Sequence, residues 1–415
     1  MIYLFIHQNF PAQYRHLVRH LADQPGNAVY FITQPNDNQM LGVEKITYTV
    51  ERGSALNRHP LTVDIDEAIR TGAATADTCR RLREKGIRPD VIVGHAGWGE
   101  TLFVKDVFPD VPLLTYFEFF YHSHGADVGF DPEFASIFSD PSRLRTKNAI
   151  NLMALDATDW GHTATHWQRR LYPPEARHRI TVIHEGVDTT RVRPNPLAWL
   201  RLARDGRILT GDDEVITYVS RNLEPYRGFH VFMRALPLIL KRRPRAHVLV
   251  VGGDGVSYGS PPVPGTSYRE MMLKELGSGI DLDRVHFLGQ VGYDTYLNVL
   301  QISSAHVYLT YPFVLSWSFI EAMACGCVIL GSANAPVLDV LRDRVNGLAV
   351  DFFSTTEIAD RVDEILDHPD RMQAIRDAAR ATAVEQFDLR DQLLPRWTEL
   401  LDDLVSGRQP VVDFD

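Results

Sequence analysis

Short apolar runs alternate with helical patterns along almost the whole chain, and that alternation leaves few folds open. The runs are Ile2–Ile6, Ala28–Ile32, Val91–Val93, Leu113–Tyr116, Ile180–Ile183, Val215–Val219, His247–Val251, Val285–Leu288, Val307–Leu309 and Val328–Leu330. Helical patterns lie between them over Pro11–Ala22, Asp66–Glu84, Gly228–Lys241, Ser267–Leu276, Tyr293–Ile302 and Ser318–Cys325. Strands that are apolar throughout must be covered on both faces, as in a parallel sheet flanked by helices. The expected fold class is therefore α/β, built from doubly wound parallel sheets. A chain of 415 residues also exceeds a single hydrophobic core, which stops growing near about 250–300 residues. The prolines of Asp188–Pro196 suit a linker, giving an N-terminal domain over 1–190 and a C-terminal domain over 197–390. Strand carboxyl ends of two such sheets are expected to line a crevice between them. Glu118–Lys147, rich in His, Asp and Phe, reads as a long loop leaving the sheet, of a length that is usually functional or disordered.

Composition narrows the class. The formal charge of −10 argues against general nucleic-acid binding, which wants a basic surface. Three cysteines, Cys79, Cys325 and Cys327, cannot form a disulfide framework, so a cytoplasmic setting is expected and the thiols read as packing residues. Met1–Ile6 is cut short by His7-Gln8-Asn9 and is no signal peptide, and no run reaches the roughly 18 apolar residues that cross a bilayer. Peripheral contact with the inner membrane face stays open, and oligomeric state is not legible. The basic residues of Gln13–Leu21 are read as a solvated helix face.

The segment Tyr311–Val350 carries the most chemistry. Ser318 to Glu321 has capping-box spacing at a helix start, and a helix N-terminus beside a strand end is an anion site. Earlier, Arg221 and Arg227 sit where strand Val215–Val219 gives way to a helix. Their planar forks match phosphate oxygens, although two surface arginines paired with Glu224 would have the same pattern. Gly252-Gly253-Asp254-Gly255 lacks dinucleotide-fingerprint spacing and reads as a structural turn. Glu321 has two readings, a helix cap or a carboxylate accepting ribose hydroxyls. His95, His122 and His124 are pocket candidates only.

Together these segments resemble the retaining glycosyltransferases of family four, enzymes with two facing Rossmann-like domains (the GT-B fold). The motifs, in order, are Thr181–Asp188, Arg221–Gly228, Leu249–Gly255, Arg284–Gly289, Glu321–Gly326 and Asn346–Leu348. The resemblance implies that Arg221 and Arg227 grip a diphosphate, that Glu321 holds the ribose, and that Phe287, Leu288 and Gly289 meet the base. It places Phe313, Ser316, Trp317 and Ser318 around the donor. It puts the acceptor in the N-terminal half, near Ala12, Gln13, His95, Glu118 and His122. It also implies that a final helix, within 391–415, crosses back to the first domain. The chain departs from the pattern at Phe313, where the family has a glutamate facing the sugar. Ser316 replaces a glycine, Pro11-Ala12-Gln13 replaces a Gly-Gly turn, and Glu118 replaces a histidine.

The implied reaction is transfer of a hexose-type sugar from a nucleotide-diphosphate donor to a hydroxyl acceptor, with retention. No metal or cofactor is called for, since arginines and a helix end supply positive charge; Asp64-Ile65-Asp66 merely opens a helix. The alternatives are a nucleotide-sugar epimerase or hydrolase using Glu118, and a non-catalytic module that binds the nucleotide sugar.

Overall fold

A computed structural model describes residues 1–51, 58–134 and 140–412. Contacts divide the chain into two compact units. The first contains Met1–Ser123, Phe138–Gly186 and Leu389–Asp415; the second contains His124–Ile137 and Val187–Asp388.

The first unit holds seven strands: β1 (Ile2–Ile6), β2 (Ala28–Thr33), β3 (Val43–Thr47), β4 (Val91–His95), β5 (Leu113–Tyr116), β6 (Trp160–Thr163) and β7 (Ile180–Val182). They pair in parallel in the order β3-β2-β1-β4-β5-β6-β7. Strands β4, β5 and β6 are buried at every residue, as expected for a sheet covered on both faces. Helices Arg15–Ala22, Val63–Glu84 and Pro141–Ala157 belong to this unit. Leu393 and the last helix, Leu394–Val405, through Trp397, Leu400, Leu401 and Leu404, pack into the core formed by Phe5, Leu17, Phe31 and Trp160. Trp397 Nε1 donates to the carbonyl of His184 at 3.2 Å.

The second unit opens with an antiparallel hairpin, β8 (Trp199–Arg201) and β9 (Ile208–Thr210). Its main sheet contains β10 (Val215–Asn222), β11 (His247–Gly253), β12 (Val285–Gly289), β13 (Ala305–Tyr308), β14 (Ile329–Ser332) and β15 (Leu348–Val350). All pair in parallel, in the order β12-β11-β10-β13-β14-β15. Both sheets thus have Rossmann strand order, and the expected α/β doubly wound class holds. In each, the order reverses beside the first strand, between β1 and β4 and between β10 and β13, where such sheets bind ligands.

Several expectations are corrected. Glu118–Lys147 is not one loop of the N-terminal half: His124–Ile137 groups with the second unit, and Asp140 caps a helix starting at Pro141. Strands β3, β6, β8, β9 and β15 go beyond those expected from the apolar runs. The contact division falls at Gly186/Val187 and again at Asp388/Leu389. The three thiols are buried and free, with Cys325 and Cys327 inside the second unit's core.

Candidate functional site

The second unit's switch point is shaped by the segment after β10. Pairing with β11 shifts register between Val219 and Asn222, so Ser220 and Arg221 leave the regular ladder. Pro225–Arg227 makes one tight turn that ends on Gly228, at φ +66°. A side chain there would sit 2.4 Å from Leu309 Cβ, so only glycine lets the turn press against the loop after β13.

This geometry sends the two guanidiniums to one small pocket, of 50 Å³, lined also by Tyr258, Tyr308 and Ser316. Arg227 is buried, and its Nη1 donates to Thr310 Oγ1 at 2.9 Å and to the Val314 carbonyl at 3.0 Å. Its fork lies against the Tyr258 ring, 5.1 Å from the centroid. Arg221 is exposed and forms no hydrogen bond or ion pair with the described residues. Glu224 does not pair with either. Its carboxylate is fully buried and accepts the backbone N–H groups of Ser257, Tyr258 and Gly259 at 3.1–3.2 Å, holding the loop that carries Tyr258.

Ser316 joins this pocket to Glu321. The helix starts at Trp317, with Ser316 as N-cap accepting the Ser318 N–H at 3.4 Å. The expected Ser318–Glu321 capping box is absent, because the helix begins before Ser318 and Glu321 lies beyond the capping position. A capping box does form elsewhere, between Ser267 and Glu270. Glu321, half-buried, instead takes a tyrosine hydroxyl on each oxygen: Tyr293 on Oε1 at 2.6 Å and Tyr296 on Oε2 at 2.7 Å.

The other donor-side candidates spread around this centre. Phe313 is buried against Tyr226 and Tyr258, with ring centroids 5.7 and 5.1 Å away. Trp317 is exposed, while Ser318 Oγ lies 3.0 Å from Ser316 Oγ. Phe287, Leu288 and Gly289 end β12 half-buried, with Arg269 over the Phe287 ring at 5.6 Å. Among the described residues, Asp131, Glu133 and His230 have spacing that could hold a metal. Their carboxylates are already engaged: Arg234 grips both Glu133 oxygens at 2.6 and 2.7 Å, and Asp131 meets His230 at 3.0 Å and Tyr311 at 2.7 Å.

In the first unit, His95 and Glu118 come together at the ends of β4 and β5, with Nε2 and Oε2 3.5 Å apart. His95 Nδ1 accepts the Gly97 N–H at 2.8 Å, and Nε2, although buried, makes no hydrogen bond. Trp98 stacks on the His95 ring at 4.4 Å, and His7 approaches edge-on at 5.1 Å. Ala12 keeps a left-handed backbone, φ +49°, in the turn after β1, with Gln13 half-buried beside it. His122 does not join the group. Its ring bonds the Leu171 carbonyl at 2.8 Å, a structural contact. Glu100 is fully buried nearby, Tyr48 donating to its Oε1 at 3.4 Å; burial pushes its carboxyl up to about 7.

Sequence reasoning alone misses Trp98, His7, Glu100, Tyr258, Tyr293 and Tyr296, and the alternative in which Glu224 pairs with the arginines does not hold. Only strand-end position could flag the first two, and nothing in spacing marks a tyrosine that will meet a carboxylate from another helix.

Two family models match in succession. Residues 25–192 match the Glycosyl transferase family 4 group, and residues 204–382 match Glycosyl transferases group 1. The chain belongs to this glycosyltransferase family. Similar curated proteins include D-inositol 3-phosphate glycosyltransferase of Rhodococcus jostii, 31% identical over 48% of this chain and 42% of its own length. Another is a GDP-mannose-dependent phosphatidylinositol monomannoside mannosyltransferase of Mycobacterium tuberculosis, 28% identical over 49% of this chain and 50% of its own. Each match therefore spans about half or less of the curated relative. Sucrose-phosphate synthase of Thermosynechococcus elongatus has the same fold, with a TM-score of 0.72 and 19% identity, over 98% of this chain and 100% of that one. HepE of Anabaena, solved with UDP-glucose, gives 0.67 and 15%, over 98% and 100%. No helix among the described residues is long and apolar enough to cross a membrane.

Proposed function

We propose that this chain transfers a hexose-type sugar from a nucleoside-diphosphate sugar to a hydroxyl acceptor, retaining anomeric configuration and needing no metal ion. The observation that carries the reading is the pair Arg221 and Arg227 at the β10/β13 switch point, one exposed and unpaired, the other buried and braced. As the glycosidic bond breaks, negative charge grows on the departing diphosphate. A fixed guanidinium donor such as Arg227 stabilises that charge without reorganising, the main electrostatic route to rate enhancement. Arg227 sets the geometry, since its Nη1 is anchored, and Arg221 is free to close onto the phosphate.

Glu321 would accept the two ribose hydroxyls, with its oxygens oriented by Tyr293 and Tyr296. Among the described residues, Glu224 is the one carboxylate lining the arginine pocket, and three backbone N–H groups occupy it. It is therefore unsuited to act as a covalent nucleophile, which favours departure and attack on the same sugar face. Phe313 presents hydrocarbon beside Tyr258, so the sugar would meet an aromatic wall there. His95 and Glu118 at the first unit's strand ends would lie on the acceptor side.

The test is turnover by an Arg221→Ala variant with UDP-, GDP- and dTDP-sugars, first ranked by thermal shift, because a ligand of the native state raises apparent stability. Loss of about 10²–10³ in rate with an unchanged melting temperature is expected. Near-normal turnover at saturating donor rules out the assigned role. Donor hydrolysis without transfer across an acceptor panel would favour a hydrolase instead.

A further inference from the structure

His95 ends β4 with its ring clamped by neighbours. Trp98 stacks on it at 4.4 Å, while His7 and Tyr116 meet it edge-on, each at 5.1 Å. The Gly97 N–H donates to Nδ1 at 2.8 Å, and a Cβ on Gly97 would lie 2.7 Å from His95 Cε1, so this turn needs glycine. The remaining ring nitrogen, Nε2, is buried without a hydrogen bond and faces Glu118 Oε2 at 3.5 Å.

A backbone N–H can only donate, so Nδ1 must offer a lone pair, and the single proton of the neutral ring then sits on Nε2. A second proton would set N–H against N–H at the Gly97 contact. Nε2 therefore has no lone pair with which to take a proton from a substrate; it can only donate. The same lock closes His7, through the Asn9 N–H at 2.8 Å, and His184, through the Gly186 N–H at 3.0 Å. Glu118 offers what these rings do not. It lies just past β5, its side chain is 37% exposed, and its oxygens are acceptors. The other carboxyl nearby, Glu100, is fully buried and already takes the Tyr48 hydroxyl.

We propose that Glu118, not His95, accepts the hydrogen bond of the attacking hydroxyl in the first unit, and that His95 is its positioning residue, a permanent Nε2–H donor that tightens onto the carboxylate when substrate enters. The role of Glu118 rests on the glycosyl-transfer reading; the tautomer of His95 rests on the Gly97 contact alone.

Two measurements on the full chain test it. Long-range proton–nitrogen spectra, with His95 assigned as the imidazole lost in His95→Gln, should show a bare Nδ1 and a protonated Nε2 at neutral pH. Release of nucleoside diphosphate from UDP-, GDP- or dTDP-glucose is then followed with methyl α-glucoside as acceptor and with water alone. Glu118→Ala should slow release roughly tenfold to a hundredfold, the range for a hydrogen bond to a charged group, with donor KM and melting temperature unchanged. His95→Leu should lose as much, and His95→Gln, which returns an N–H to the same place, should regain most of it. The double variant of Glu118→Ala with His95→Leu should be no slower than Glu118→Ala alone, because His95 acts through Glu118. A proton on Nδ1 overturns the assignment of His95, as does a double variant slower than either single one. Native rates in Glu118→Ala, or no release by the native chain with either acceptor, overturns the role of Glu118. If Arg221→Ala keeps full turnover while the spectrum shows Nε2–H, the transfer reading has failed and the tautomer has not.

Discussion

At the scale of single residues, the proposed donor site depends on groups that hold other groups. Tyr296 donates to one Glu321 oxygen and Tyr293 to the other, which fixes the plane of the carboxylate. Removing one such hydroxyl by Tyr296→Phe leaves a charged acceptor less well oriented, a loss of roughly 1.5 kcal/mol or about tenfold in nucleotide affinity. KM for the donor should rise with kcat nearly unchanged, and Glu321→Gln should weaken the nucleotide further. A Tyr296→Phe variant with native KM would leave the hydroxyl no orienting role. Glu100 gives a pH prediction. Its native carboxyl keeps a proton up to about pH 7, whereas the unfolded one releases it near 4.5. Across that window the native state binds more protons, so it loses stability as pH rises, by on the order of 3 kcal/mol once Glu100 is ionised. Glu100→Gln should therefore exceed the native protein in denaturant midpoint at pH 8, with the gap closing towards pH 5. A gap that is the same at both values would show that Glu100 ionises without cost.

At the scale of elements, the joint between β10 and helix Phe229–Arg242 is a tight part of the proposed donor site. Gly228→Ala combines a left-handed backbone, costing about 1–2 kcal/mol, with a contact to Leu309 that costs about 1–3 kcal/mol more. The variant's unfolding free energy should fall accordingly, and its nucleotide affinity should fall with the displaced Arg227. Retention of both would mean that the β13 loop can yield. This joint is legible in the sequence, because an apolar strand, two arginines and a glycine before a helical pattern are local signals. Most central strands are legible for the same reason. Strand β6 is not, since Trp160-Gly-His-Thr looks polar until burial on both faces is known. The helix carrying Glu321 begins one residue before its sequence pattern suggests, because Ser316 and Ser318 are equally good caps and only packing chooses Ser316. The partner of Glu224 is hidden for a different reason: a carboxylate next to arginines in sequence is reached here by three N–H groups more than thirty residues away.

At the scale of the whole molecule, both units repeat the same strand order, and that repetition makes the fold readable from apolar runs alone. The finer division of the chain is less accessible: His124–Ile137 leaves the N-terminal half for the second unit, held there by Asp131 and its contacts with His230 and Tyr311. Long-range hydrogen bonds of this kind have no local sequence signature. The return of Leu389–Asp415 to the first unit has a bearing on biosynthesis. A ribosome delivers residues 1–186 long before Trp397, Leu400 and Leu401 exist to cover Leu17 and Trp160, so the nascent amino-terminal half must wait with a sticky, half-finished interior. Expressed alone, that fragment should bind a hydrophobic dye and aggregate, and a synthetic peptide of residues 389–412 supplied in trans should rescue it. A fragment that stays soluble and cooperative unaided would mean that the closing segment is ornament to a unit already complete.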